Sequence, residues 1–525
     1  MDEASAWAPL NTPLYRSLWI ASLASNIGSW MQDIGAGWMM TSLSTDPLMV
    51  ALVQGAGSLP MFLFGLPSGV LADIVDRRRY LIVAQCWMLL AAAALGALAV
   101  AGLVTPSLLL FATFLLGAGG AMAAPPFQAI MPTLVPKAEL AAAVALNSLG
   151  VNASRAIGPA LAGLVLSFTG PAAVFFINAL SVLGVLAVLL AWRPAPQARR
   201  LPPESFLPGV GAGLRYVRSA PLLRTVLIRA VAFFMFGSAA WSLLPLIARG
   251  PLGLDAGGYG LLLACMGVGA VAGALLLPRL RRLVAIDVLA TGATLLFALT
   301  MVALATLHSA PLVGVALVFA GSAWIAMLSI LNMGAQRSSA GWVKARALSV
   351  YLVVFYGSMA GGSVIWGRAA AALGIPVVLL IAAAGMALAT AVALRWRLGA
   401  WPDLDLSPMQ LGFAEPMIQP DADQGPVMVD VEYLVDAAEV SAFRAAIDAM
   451  RDVRRRGGAL SWAIYQDMAA PDRYHEVWVT VSWLDHQRQH ERFTANDRAI
   501  QARVHAFHRG PQAPKVRHLI ATQRQ

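Results

Sequence analysis

Gly69-Val-Leu-Ala-Asp73-Ile-Val-Asp76-Arg77-Arg78-Arg79 is a short charged stretch between two long apolar runs. Charge is costly in hydrocarbon, so a stretch of this kind reads as a turn at a membrane face. A second, weaker copy stands 204 residues later, at Gly273-Ala-Leu-Leu-Leu277-Pro278-Arg279-Leu-Arg281-Arg282. Gly69, Arg77 and Arg78 fall on Gly273, Arg281 and Arg282 at that offset, and Gly65 falls on Gly269. Gly158, Gly163 and Gly170 fall on Gly362, Gly367 and Gly374 at the same spacing. Five glycines and two arginines in one register point to a duplicated unit.

Composition agrees with a membrane setting. Apolar residues make up 59% of the 525 and charged ones only 12%, about half the usual charged share of a soluble protein. The net charge of +10 is no sign of nucleic-acid binding, because the arginines sit at the ends of apolar runs, where they set topology. Cys86 and Cys265 lie inside apolar runs, which excludes a disulfide framework. No signal peptide is expected, since no cleavage site follows the first apolar run.

A span needs roughly 20 apolar residues. Runs of that length predict twelve helices, the first six near 17–40, 48–73, 80–103, 106–129, 141–168 and 171–192. The second six fall near 223–248, 257–278, 284–305, 311–334, 346–371 and 375–396. Alternate junctions carry Arg16, Arg77–Arg79, Lys137, the cluster from Arg193 to Arg224, Arg279–Arg282, Arg337 to Arg346, and Arg395 with Arg397. The intervening junctions carry no Lys or Arg except Arg249. The positive-inside rule then puts both termini in the cytoplasm, which demands an even number of spans. The expected fold is an all-α membrane protein with 12 transmembrane helices in two six-helix halves, 1–192 and 223–397. Residues 193–222 form a cytoplasmic linker, 398–425 a second one, and 426–525 a soluble α+β domain. Two such halves related by an axis along the membrane normal are one established transporter plan.

With these motifs in view, the chain resembles the major facilitator superfamily. The resemblance rests on the 6+6 plan, the Gly69–Arg79 loop, and Gly158-Pro159 followed by Gly163. Trp30-Met-Gln-Asp33, Ser58-Leu-Pro60, Leu146-Asn147-Ser148 and Gly158-Pro159-Ala160 resemble its enterobactin-exporter-like group, the transmembrane secretion effectors. It covers about 14–397. The loop departs from the superfamily pattern at Ile74, where a basic residue is usual, and at Asp76, where glycine is usual.

Gly69, Asp73, Arg77 and Arg78 are the expected conformational gate. Asp73 would accept charge-assisted hydrogen bonds that hold one state and release the other; the plainer reading of the arginines is interfacial topology charge. Gly158, Pro159 and Gly163 form the fifth-helix motif. Proline removes a backbone donor and small residues admit a neighbouring helix, while in the superfamily the pattern marks antiporting exporters. Only its core is present, with Ala145 and Ser154 upstream. Of the charges inside spans, Asp33, Arg155, Arg229 and Arg368 stand out. Asp33 is the candidate proton carrier, coupled to Arg155, against a structural ion pair or a water-facing mouth residue. Gln54, Asn147 and Asn152 are candidates for the substrate cavity, and Gln32, Gln85 and Asn178 are also polar within spans. Any of them could instead bond neighbouring helices. Trp30, Trp38, Trp241 and Trp324 suit a large amphipathic ligand.

The stretch 427–525 carries 26 charges and six of the seven histidines. A strand at Val427–Val435, a helix opened by an Asp436–Glu439 capping box, strands at Leu460–Asp467 and Tyr474–Trp483, a long helix Leu484–His508 and a strand at Arg517–Thr522 give the order β-α-β-β-α-β of a ferredoxin-like domain. This order, with Trp462, Tyr465, Trp483 and His490, resembles the antibiotic-biosynthesis-monooxygenase-like dimeric barrels. That resemblance implies a homodimer contact and, in some members, enzymatic activity. His486 and His490 lie four apart on one helix face, but no third ligand has evident spacing, so a solvated face is expected and no metal. No nucleophile–base pattern and no phosphate loop occur, so no catalytic residue and no cofactor are expected.

The expectation is a plasma-membrane secondary exporter of an amphipathic small molecule, siderophore- or drug-like, working by proton antiport and alternating access. Its partners would be that substrate, protons and the lipid bilayer, with no nucleic acid. The alternatives are a metabolite importer, or a membrane-tethered enzyme whose chemistry lies in 426–525.

Overall fold

The computed structural model describes residues 7–130, 134–192, 216–340, 343–399, 405, 407, 409, 421 and 423–522. Twelve long helices run through the described residues before the first strand. The first six are α1 (Pro13–Leu43), α2 (Pro47–Ile74), α3 (Arg77–Val100), α4 (Pro106–Ile130), α5 (Leu140–Thr169) and α6 (Pro171–Ala191). The second six are α7 (Pro221–Arg249), α8 (Ala256–Leu283), α9 (Ile286–Thr306), α10 (Ala310–Arg337), α11 (Lys344–Leu373) and α12 (Ile375–Ala393). Eleven of them are long and apolar enough to cross a membrane. The other, α1, has 31 residues but is interrupted by Ser22, Asn26, Gln32 and Asp33, which lowers its hydropathy. The expected linker 193–222 and the segment 398–425 fall mostly outside the described residues.

The 204-residue offset governs the helix ends as well as the motifs. α5 and α11 begin and end at matching positions, and α4 and α10 begin at matching positions, as do α6 and α12. Gly170 and Gly374 reverse the chain between those helices with φ of 79° and 82°. Only glycine enters this left-handed region without a Cβ penalty, so both copies need it. The two charged stretches, by contrast, fold differently. α2 stops at Ile74, and the Asp76 carboxylate accepts a hydrogen bond from the Arg79 amide at 2.8 Å, capping α3. In the second copy the helix continues through Pro278 to Leu283, so Arg281 and Arg282 lie in its last turn rather than in a loop. Cations there complement the negative end of the helix dipole.

Close backbone contact packs the second half. A Cβ on Gly269 or Gly321 would overlap the backbone of the facing helix, which lets α8 and α10 touch. Ser322 donates to the Gly269 carbonyl at 2.8 Å across the same contact. Arg229 is 4% exposed and donates from Nη2 to Asp287 Oδ1 at 2.9 Å and from Nε to the Trp396 carbonyl at 3.0 Å. Asp287 also accepts from the Leu398 and Gly399 amides, each at 2.8 Å. This pair ties α7, α9 and the chain beyond α12 together.

The chain forms two compact units. The first holds most of the helical part, and the second holds, of the described residues, 216–226, 333–340, 343–350 and those from 405 on. In the second unit follow β1 (Val427–Leu434), α13 (Val440–Gly457), β2 (Ser461–Gln466), β3 (Arg473–Thr480), α14 (Trp483–Glu491), α15 (Ala495–His505) and β4 (Lys515–Ile520). The strands form one antiparallel sheet in the order β2-β3-β1-β4. Val427, Val429, Val431 and Tyr433 alternate onto one face, where they bury Phe443, Ile447, Met450 and Val453 of α13. The other face carries Asp430 between His475 at 2.9 Å and Arg517 at 2.8 Å.

Two local expectations are corrected. The long helix Leu484–His508 is two helices, because Thr494 caps α15 in a reciprocal capping box with Asp497 and so ends the preceding segment. Asp436 does cap, but its side chain accepts from the Ala438 amide at 2.9 Å and Glu439 is drawn off to Arg509. No reciprocal box forms there.

Removing one partner of a buried pair leaves the other charge uncompensated, at a cost of about 3–5 kcal/mol. Because Asp287 is 23% exposed, the lower end applies. Asp287→Ala is expected to lower the thermal midpoint of the detergent-purified chain by several degrees, with Asp287→Asn milder, as read by differential scanning fluorimetry.

Candidate functional site

The expected gate divides on inspection. Gly69 has open space around its Cα, so no close approach explains it. Arg78 donates from Nε to the Leu189 carbonyl at 2.7 Å and from Nη2 to Leu190 at 2.8 Å. It caps the C-terminal end of α6, a contact inside the first half. Asp73 lies in α2 with its side chain outside the described residues, and Arg77 opens α3.

Contact between the halves is made at the arginine-poor end. A Cβ on Gly163 of α5 would stand 2.6 Å from the Gly260 Cα of α8, so the two backbones meet with no side chain between them. A Cβ on Gly367 of α11 would stand 2.6 Å from the Ala51 Cβ of α2. Arg249 donates to Thr41 Oγ1 at 3.0 Å and lies 5.6 Å from the Trp38 ring centroid. Trp38 stacks on Tyr259 at 5.4 Å. Gly158 serves a contact within the first half, since its Cβ would stand 2.6 Å from that of Trp30 on α1. Pro159 lies within the same helix, and its carbonyl reaches the Gly260 position. The fifth-helix motif is thus a pair of packing surfaces, one toward α1 and one toward α8.

Deeper in the same interface are the titratable groups. Asp33 is exposed, yet its electrostatic neighbours are Tyr259 of α8 and Tyr356 of α11, both in the second half. The carboxylate thus acts electrostatically on residues of the opposing half. Arg155 also interacts with Tyr356, and its Cζ lies 5.5 Å from the Trp30 ring centroid. Its Nε and Nη1 are buried and find no hydrogen-bond partner among the described residues. Asp33 and Arg155 form no ion pair among those residues, and Tyr356 is the neighbour they share. Trp30 approaches Trp241 at 6.5 Å, and Trp241 meets Trp324 at 5.3 Å, so an aromatic chain crosses from α1 to α7 and α10.

The neutral polar residues divide likewise. Asn178 donates to Gln32 at 3.0 Å, bonding α6 to α1. Gln54 donates to Ser58, and Asn152 to the Ser148 carbonyl, each within its own helix. Asn147 is half-buried in α5. Arg368 is exposed near the C-terminal end of α11.

In the C-terminal fold, Glu476 is fully buried and accepts from Arg454 at 2.9 and 3.2 Å, from Trp462 at 3.1 Å and from Tyr433 at 3.3 Å. Burial and the Glu476 charge push the Tyr433 hydroxyl well above its ordinary pKa, so it stays a neutral donor. An open groove of about 260 Å³ lies beside it, lined by Arg444, Asp448, Trp462, Gln466 and Tyr474. His486 and His490 are not on a solvated face as expected: His486 is 1% exposed, packed against Trp483 with its ring 5.3 Å away. Burial, then the neighbouring His490 and His518, hold the His486 imidazole down at about 3. Burial, then Arg454, hold His490 at about 4. Both rings are therefore neutral at physiological pH.

Arg249, Tyr259, Gly260 and Tyr356 were not singled out as site residues by sequence. Arg249 left a signal, as the one cation at an otherwise uncharged set of junctions.

Two six-helix sets meeting around an aromatic and charged interface define a polytopic membrane transporter of the major facilitator fold. The sequence profile of the transmembrane secretion effectors matches residues 4–525, and the chain belongs to that family. It is 24% identical over 256 residues to the staphyloferrin A transporter of Staphylococcus aureus, covering 48% of this chain and 64% of that one. It is 28% identical over 272 residues to the enterobactin exporter EntS of Citrobacter koseri, covering 50% and 62%. The chain thus spans under two thirds of the length of these curated relatives. A bacterial homologue of the human lysosomal transporter Spinster, solved inward-facing and occupied, superposes with a TM-score of 0.61 at 16% identity over 74% of this chain and 98% of that one. The family and these relatives are transporters, not enzymes.

Overpacking a close contact costs about 1–3 kcal/mol. Gly163→Leu should therefore open the arginine-poor end roughly tenfold more often. The check is maleimide labelling of Ala51→Cys, a fully buried position, in a background lacking Cys86 and Cys265. Faster labelling with Gly163→Leu is the expected outcome.

Proposed function

We propose that this chain is a secondary active exporter of an amphipathic small molecule, siderophore- or drug-like, that works by alternating access and proton antiport. The observation that carries the reading is the shared interface of Asp33, Arg155 and Tyr356 beside the Trp30–Trp241–Trp324 chain. The aromatic faces suit a large, flat ligand, and the buried Arg155 guanidinium suits an anionic group on it. Asp33, a carboxylate that acts on Tyr259 and Tyr356 of the opposite half, would take a proton in one state and release it in another. Gln54, Asn147 and Asn152 would line the approach to this site. The names of the siderophore-exporting relatives support the substrate class and direction.

In this reading α1 is the twelfth span, with its polar residues turned to the pathway rather than to lipid. The arginine-rich junctions face the cytoplasm of a plasma-membrane protein, with both termini inside. The contact at Gly163 and Gly260 then closes the outer end, as in an inward-facing transporter, and Asp73 with Arg77 takes part in the closure of the inner one. The C-terminal unit is a ferredoxin-like module by its β-α-β-β-α-α-β order and antiparallel β2-β3-β1-β4 sheet. Its open sheet face, with Met428, Tyr465 and Leu519 exposed, is the surface through which it would form a homodimer.

The test is substrate movement in proteoliposomes under an imposed pH gradient, run against a panel of siderophores and amphipathic drugs. Asp33→Asn should abolish acceleration by the gradient while sparing exchange of substrate for substrate. Arg155→Ala should raise KM about tenfold for anionic substrates and little for neutral ones. Gradient-driven transport that persists in Asp33→Asn would remove this residue from the coupling step.

A further inference from the structure

Three histidines of the C-terminal fold converge although they come from two separate elements. His486 and His490 occupy successive turns on one side of α14. His518 arrives from β4, where it pairs opposite Val429, and Val429 points into the core beneath the helices. That register puts His518 on the helix-covered side of the sheet. One ring nitrogen from each histidine lies within 4.8 Å of the other two. The Nε2 atoms of His486 and His490 are 3.2 Å apart, against about 3.3 Å for two nitrogens sharing a tetrahedral zinc at about 2.0–2.1 Å. The ring centroids of His486 lie 4.8 Å from those of both His490 and His518.

Arg454, the cation that acts on His486 and His490, is paired bidentately with Glu476, which offsets its charge toward a bound cation. Trp483 walls one side, 5.3 Å from His486 and 6.2 Å from His518. His486 is buried while His518 is exposed, so the cluster has a closed floor and an open mouth. An all-imidazole set without a carboxylate disfavours Mg²⁺ and Ca²⁺, which take oxygen ligands. It suits Zn²⁺ and neighbouring late transition metals. We propose that His486, His490 and His518 bind one divalent transition-metal cation of the zinc class, with the fourth coordination position open toward solvent on the His518 side. The alternative chemistry for the same geometry is a hydrogen bond between the His486 and His490 rings with no metal affinity.

The experiment uses the full chain, purified in detergent with a histidine-free tag and stripped with chelator. Zn²⁺ alone is titrated in competition with a chromophoric chelator, and bound metal is counted by mass spectrometry. One zinc per chain is expected. His490→Ala should weaken binding by at least tenfold, as should His518→Gln, whereas His308→Ala, far along the chain, should not. His486 is buried, so its replacement can disturb folding; His518→Gln, on an exposed edge strand, carries the test, with an unchanged metal-free melting profile as its control. Co²⁺ should give the visible absorption of a tetrahedral nitrogen site in the parent chain and lose it in His518→Gln. Failure to bind zinc stoichiometrically would overturn the proposal and leave the hydrogen-bonded pair. So would binding that is undiminished in the His490→Ala/His518→Gln double variant. Neither readout depends on transport, so the result stands apart from the exporter reading.

Discussion

The backbone contact between Gly163 and Gly260 is the constraint on which the rest of the helical part depends. Two helices approach this closely only where both lack a side chain, and dispersion across so short a gap is lost steeply with separation. Tyr259 is the residue beside Gly260, so the seal also fixes its ring on Trp38 and its hydroxyl near Asp33. Arg249, reaching Thr41 beside the same stack, adds a polar latch. One of the contacts that join the halves and the neighbourhood of Asp33 are therefore set by the same few residues. A contact built from small residues and single polar bonds is also one that can separate without leaving buried charges behind.

Much of this was legible in the sequence, and the reasons are physical. Runs of apolar residues define spans because lipid demands them, and the 204-residue repeat carried over to helix ends and to two positive-φ glycines. Gly158 and Gly163 could be recognised as small positions, but their partners could not. Gly260 has Ala56 at the matching place in the first half, so the repeat did not mark it. The second charged stretch was read as a turn, whereas its arginines proved compatible with a further helical turn. Tyr356 lies on another helix, far along the chain from both groups it joins, and such convergence has no local signature.

The C-terminal fold shows the same division between local and distant information. Its strands were legible from alternation, with ends displaced by a few residues. Thr494 and Asp497 spell a capping box, but inside a polar run they do not stand out until the backbone turns there. Glu476 reads as an ordinary strand acid, yet it is the fully buried acceptor of four hydrogen bonds. Such a charge is tolerable only because Arg454 lies along it in bidentate contact, with the guanidinium 3.8 Å from the Trp478 ring centroid. The pair fixes α13 on the sheet more tightly than apolar packing alone would specify.

The second compact unit is not the C-terminal fold alone, for it also takes in 216–226, 333–340 and 343–350. Within it Tyr216 donates to the Ser338 carbonyl at 2.7 Å and accepts from Ala340 at 3.1 Å. Arg456 of α13 bonds both Asp497 and the Ser219 carbonyl. The helix ends gathered there belong to α7, α10 and α11, all from the second half. Within that unit the appended fold is thus bonded to helix ends from one half of the duplication, so the two halves differ in what is attached to them.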